Sequence, residues 1–117
     1  MAIFKLVEGL TYAALAAADL RLKLNHIATI DAAGLIALCG NDAKALGTIF
    51  EVGDEGEPVS VQMGGIAKVV ASAAIAAGAR VACDANGQAK TGTTNPLGIA
   101  LAAAGAANVV IPVALVN

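Results

Sequence analysis

A chain of 117 residues is long enough for one domain with a real core and too short for two. Only 14% of its residues are charged, 58% are hydrophobic and 3% aromatic. An average soluble domain is roughly one quarter charged, so part of this surface is expected to be covered by other subunits. The net charge of -2, with seven Lys and Arg spread along the chain, excludes the basic patch that nucleic-acid binding requires.

Residues 1–19 differ from the rest. Met1 to Leu10 mix apolar residues with Lys5 and Glu8 without a period. Thr11 to Ala18 is rich in Ala and Leu, and the expectation is one or two helical turns, marginal unless they pack on something else. Lys5 followed by Leu10 to Ala18 faintly resembles a leader, but Glu8 stands where its apolar stretch should have begun. The segment therefore reads as an extended N-terminal arm, residues 1–19, preceding a β module over residues 20–117.

From Leu20 the pattern alternates. Leu20, Leu22, Leu24, His26, Ala28 and Ile30 fall on one face of a predicted strand, and Arg21, Lys23, Asn25, Ile27 and Thr29 on the other. Asp31-Ala32-Ala33-Gly34 is a turn, and Leu35 to Leu38 returns as a hairpin partner. Thr48 to Val52 forms a third strand, and Gly53-Asp54-Glu55-Gly56-Glu57 an acidic loop. Pro58 opens a strand in which Val59 and Val61 point one way, and Gly64-Gly65 reads as a hairpin turn into Ile66 to Val70. Residues 71–78 read as a loop or a single turn. Arg80 to Cys83, Asp84-Ala85-Asn86-Gly87 and Gln88 to Lys90 make another hairpin with an Asn-Gly turn.

Leu97 to Ala102 and Val109 to Val116 are the last two predicted strands. In the final one, Val109, Ile111, Val113 and Leu115 form a core face. The opposite face, Val110, Pro112, Ala114 and Val116, is also apolar, and Pro112 favours a sheet edge. An edge strand apolar on both faces is a subunit-contact candidate. Thr91 to Asn117 carries no charge and mean hydropathy is +0.77. Yet Gly98, Gly105, Asn108, Pro112 and many Ala residues break the stretch, so no membrane span is expected.

No constellation for chemistry emerges. His26 is the sole histidine, and Cys39 and Cys83 would have to share it as a base. Both cysteines are expected as small buried thiols, and one His with two distant Cys falls short of a zinc site. Asp54, Glu55 and Glu57 lack the loop pattern of a calcium site. Gly64-Gly65 has no following Lys-Ser, and Met63-Gly64-Gly65 lacks the lysine of a lipoyl or biotin carrier hairpin. The expectation is no enzyme, no cofactor and no metal.

Four segments together carry a resemblance. They are Asp19 to Ile30 after an apolar arm; Glu57-Pro58-Val59-Ser60-Val61 through Gly64-Gly65-Ile66-Ala67-Lys68-Val69; Ala74 to Val81 with Asp84-Ala85-Asn86-Gly87; and Leu97 to Gly105 before a terminal Val/Ile strand. In this order they resemble the small phage capsid cement, or decoration, proteins, with Asn108 standing where an acidic residue is often seen. The resemblance implies a mainly β, single-domain β-barrel-like or sandwich-like module, commonly trimeric, on the outer surface of a phage head. Its implied partners are the major capsid protein and other copies of itself, with no nucleic acid and no membrane, after synthesis in the host cytoplasm.

On that reading Ile3, Phe4, Leu6 and Val7 of the arm are the expected capsid contacts. Val110, Pro112, Ala114 and Val116 are the expected subunit contacts. A tail or head-completion ring subunit, or a small β carrier or ligand-binding module, is the alternative.

Overall fold

The structure, a computed structural model, describes residues 11–115. Among these, every regular element is a strand: β1 (Thr11–Leu15), β2 (Ile27–Ile30), β3 (Ile36–Leu38), β4 (Gly47–Glu51), β5 (Pro58–Gln62), β6 (Ile66–Val70), β7 (Arg80–Cys83), β8 (Ala89–Thr91), β9 (Gly98–Ala100) and β10 (Val110–Leu115). They form two antiparallel five-stranded sheets, ordered β1-β5-β4-β2-β3 and β6-β10-β9-β7-β8. Each sheet curls until its outer strands approach at one parallel bridge, Ala16 with Ile36 and Ala71 with Ala89. That stops short of closure, so the mainly β expectation holds in its sandwich-like form and not as a barrel.

Three local expectations are corrected. Thr11–Leu15 is an edge strand and not helix, because its backbone groups pair with β5 in register Thr11↔Gln62 to Leu15↔Pro58; tertiary pairing overrides the helix preference of Ala and Leu. The alternating run from Leu20 is strand only from Ile27. Before it the chain turns, with His26 N–H donating to Lys23 C=O at 3.1 Å and Asn25 at φ 63°. Gly64-Gly65 joins no hairpin: β5 and β6 lie in different sheets, and the pair is the crossover between them.

The two sheets share one topology, since replacing each strand of the first by the strand five later gives the second. The registers agree as well: Thr11↔Gln62 corresponds to Ile66↔Ala114, Ile27↔Thr48 to Arg80↔Ile99, and Ile30↔Ile36 to Cys83↔Ala89. So do the irregular bonds. Asn25 N–H donates to Ile49 C=O at 2.8 Å as Gly78 does to Ala100 at 2.7 Å, and Leu20 to Gly53 at 2.9 Å as Ile75 does to Ala104 at 3.0 Å. Left-handed residues recur in matched places, at Asn25 and Gly78, Asp42 and Asn95, Gly56 and Asn108. The chain is thus a tandem of two equivalent β units, residues 11–62 and 66–115. Asn108 holds the conformation that Gly56 holds in the first unit, which only Gly and a few short polar residues adopt readily.

The turns show why the units fold alike. Asp31 Oδ1 accepts from the N–H of Ala33 and Leu35, both at 2.9 Å, and Asp84 Oδ1 from Asn86 and Gln88 at 2.8 and 2.9 Å. Each carboxylate closes its β hairpin through local bonds. Leu46-Gly47 and Leu97-Gly98 recur likewise at the starts of β4 and β9.

Inward residues of alternating strands form the core. Leu20, Ala28, Ile36, Ile49, Val59 and Val61 fill the first unit. In the second, Val69, Val81, Leu97, Ile111 and Val113 pack together with Ile27 and Cys39 from the first unit, so one core runs across the seam. Backbone bonds also cross it: Ile27 N–H to Gly87 C=O at 2.6 Å, Asp42 N–H to Cys83 C=O at 2.9 Å, and Val70 N–H to Asn25 C=O at 3.0 Å. Lys90 adds a bond to Asn41 Oδ1 at 2.7 Å and an ion pair with Asp42 at 3.1 Å.

Candidate functional site

The residues with reactive potential do not converge. His26 is half-buried in the turn before β2, with its Nδ1 at 3.1 Å from the Leu24 carbonyl. No group of three or more His, Cys, Asp or Glu among the described residues is placed to hold a metal ion. No buried side-chain polar atom among them lacks a hydrogen-bond partner. No helix among them is long and apolar enough to cross a membrane.

Cys39 and Cys83 are exceptions among the described residues, since the fold brings them together. Both are buried free thiols at the seam between the units. The Cys83 thiol donates to the carbonyl oxygens of Cys39 and Asp84, each at 3.2 Å, and Cys39 donates to Ala43 C=O at 3.5 Å. The neighbouring Cys39 thiol, and then burial, push the Cys83 thiol well above its usual range. Both thiols are closed off from solvent and pack as small core residues.

The acidic loop pairs with the turn after Ala18. Arg21 donates to both carboxylate oxygens of Asp19, at 2.9 and 2.8 Å, and lies 3.9 Å from Asp54. The hydrogen bonds from Arg21 lower the Asp19 carboxyl to about 2. All three side chains are exposed, so this is a solvated charge cluster that orders a loop at little gain in stability.

What the surface offers is apolar. Leu22, which the alternation put on one face of a strand, is 89% exposed in the turn before β2, and Ile66 at the head of β6 is 64% exposed. Leu24, Phe50, Val52 and Leu101 add to these. Phe50 and Leu101 occupy equivalent places in the two units, near the end of β4 and just after β9, and both are exposed. Sequence periodicity could not find this set, because apolar residues in short strands read as core until the pairing is known.

The final strand departs from the edge assignment. β10 lies between β6 and β9 and pairs with both. Pro112 is tolerated because the bonds of its pair with Lys68 point away from β6, while on the β9 side its carbonyl still accepts from Leu101 N–H at 2.9 Å. Ile111 and Val113 are buried as expected. Val110 is exposed, and Pro112 and Ala114 are half-buried, so this row faces outward. Ile3, Phe4, Leu6, Val7 and Val116 lie outside the described residues.

The candidate site is therefore a surface: a lightly charged, small-residue frame from which a few large apolar side chains project. No curated protein matches the chain. A model of the phage cement protein family matches it over residues 17–115.

Proposed function

This chain belongs to the phage cement protein family, and from that membership we propose that it clamps major capsid subunits together on the outer surface of a phage head. The family places it in the virion, in a capsid-stabilising role. Beyond that, our reading is of a trimer made in the host cytoplasm, added where capsid subunits meet, and acting without catalysis, cofactor or nucleic acid. The observation that carries it is the set of exposed apolar side chains, Leu22, Leu24, Phe50, Ile66 and Leu101. Such groups gain by leaving water, at about 25 cal/mol per Å² of apolar surface buried.

Within this proposal Ile3, Phe4, Leu6 and Val7 grip the shell as an arm. Val110, Pro112, Ala114 and Val116 contribute to contacts between copies. Small contacts held on one oligomer add through effective concentration, so no single one need be large.

Copy number in purified particles tests the placement. A number comparable to that of the major capsid subunit fits a cement protein. A number matching a single ring would reassign the chain to the tail or head-completion machinery. A covalent prosthetic group in the mass spectrum of the natural protein would reassign it to a carrier module.

A further inference from the structure

Each unit of the tandem carries the same two faces, and the seam uses only one from each. The first unit presents a receiving face, around Asn25, Ile27, Leu38 and Asp42. The second unit enters it with Val70, Cys83, Gly87 and Lys90. By the shared register, the first unit has its own entering face at Leu15, Ile30, Gly34 and Ala37, and the second its own receiving face at Gly78, Arg80, Thr91 and Asn95.

Among the described residues those two spare faces are largely exposed. Cys83, covered at the seam, is 1% exposed, whereas its counterpart Ile30 is 41% exposed. Leu15, the counterpart of Val70, is 47% exposed. A Cβ added to Gly87 would meet Leu38 Cδ2 at 2.9 Å, but one added to Gly34 would meet nothing within 4 Å. The spare entering face is also more apolar than the one in use, with Leu15, Ile30 and Ala37 where the second unit has Val70, Cys83 and Lys90.

We propose that the face formed by Leu15, Ile30, Gly34 and Ala37 docks a second copy of this chain, entering that copy's receiving face around Gly78, Arg80 and Asn95. The packing repeats the head-to-tail seam already present inside each chain. Its three backbone bonds have direct counterparts: Arg80 N–H of the neighbour to Gly34 C=O, Asn95 N–H of the neighbour to Ile30 C=O, and Leu15 N–H to Gly78 C=O of the neighbour. Among the described residues the register leaves Leu15 N–H free for this. Ala16 N–H bonds Glu57 C=O at 2.9 Å, so in an antiparallel ladder the N–H of Leu15 points away from β5. Head-to-tail contacts propagate until the rotation closes a ring, and a trimer built this way is a ring of six units. The inference rests on the self-association in the proposed function and not on its shell binding.

Sedimentation velocity of the full-length chain over a concentration series tests it, together with hydrogen–deuterium exchange of the same samples. The wild type is expected to be oligomeric. Ile30→Glu and Leu15→Glu should each weaken association by roughly tenfold or more, as a charge at the centre of a buried apolar contact does. Phe50→Glu should leave association unchanged. Peptides containing Leu15, Arg80 and Asn95 should exchange more slowly in the oligomer than after dilution, a readout that needs no variant and so survives misfolding of either Glu substitution.

A wild type that stays monomeric, an oligomer indifferent to both substitutions, or exchange at those peptides unaffected by dilution would each overturn the proposal. Loss of shell binding in Phe50→Glu with the oligomer intact separates the two claims. An oligomer that behaves as described yet never binds shells would sink the proposed function and leave this inference standing.

Discussion

Gly47 and Gly98 open equivalent strands, and at both an added Cβ would collide with the backbone of the neighbouring strand. At Gly47 it would overlap the Gln62 carbonyl oxygen, lie 2.8 Å from its carbon and 2.9 Å from Val61 Cγ1. At Gly98 it would overlap the Ala114 carbonyl oxygen and lie 2.8 Å from its carbon and 3.1 Å from Leu115 Cα. These obstacles are backbone and cannot swing away, so β4 and β5, or β9 and β10, must separate. Overpacking costs about 1–3 kcal/mol where side chains can adjust, and a backbone clash belongs at or above the upper end, about 3 kcal/mol.

Gly47→Ala and Gly98→Ala are therefore each expected to lower stability by about 3 kcal/mol, near 10 °C in Tm for a domain of this size. Gly40→Ala is the control: nothing lies within 4 Å of its added Cβ, and the change should be within about 0.5 kcal/mol. Guanidinium unfolding at one fixed protein concentration measures all three. A cost below about 1 kcal/mol at Gly47 would refute the strand spacing on which the duplication rests. A large cost at only one of the pair would refute the equivalence of the units.

The turn carboxylates should also behave as a pair. Asp31→Ala and Asp84→Ala each remove an acceptor for two backbone N–H groups and should each cost about 1–2 kcal/mol by the same unfolding assay; no measurable loss at either would contradict the account. Cys39 and Cys83 should react with a maleimide only through unfolding, slowed roughly a thousandfold or more relative to the denatured chain, whereas rapid labelling of native protein would show the seam to be open. Arg21 holds the Asp19 carboxyl at about 2 in the fold against an ordinary 3.8, so its contribution is present above that ordinary value and fades as pH falls toward 2. Any difference in unfolding midpoint between wild type and Asp19→Asn at pH 7 should thus vanish at the acid end, and a difference unchanged at pH 2 would contradict the pairing.

The sequence made the strongly patterned elements legible. The bounds of Ile66–Val70 and Arg80–Cys83 are legible because each lies between turn residues, and the hairpins around Asp31-Ala32-Ala33-Gly34 and Asp84-Ala85-Asn86-Gly87 follow from local carboxylate and glycine chemistry. What failed was decided by distant partners. Tyr12-Ala13-Ala14-Leu15 is strand only because β5 offers it a ladder, and β10 is interior only because β6 and β9 both reach it. Leu20 to His26 alternates like a strand, yet Asn25 in the left-handed region breaks it.

The duplication was nearly invisible, since the units agree mainly where geometry demands it: Asp31 with Asp84, Gly34 with Gly87, Leu46-Gly47 with Leu97-Gly98, Val61 with Val113. The recurrence of Asp-Ala-x-Gly ahead of Leu-Gly was the available signal. The exposed set at Leu22, Phe50 and Leu101 had none, because apolar side chains at a surface contact and in a core look the same in one dimension.

Heating shells depleted of this chain, and the same shells after the purified protein is added back, shows whether it holds a phage shell together. Depleted shells are expected to release their contents at a lower temperature than native ones, and add-back to restore the native temperature. Depleted shells as heat-resistant as native ones would contradict that role.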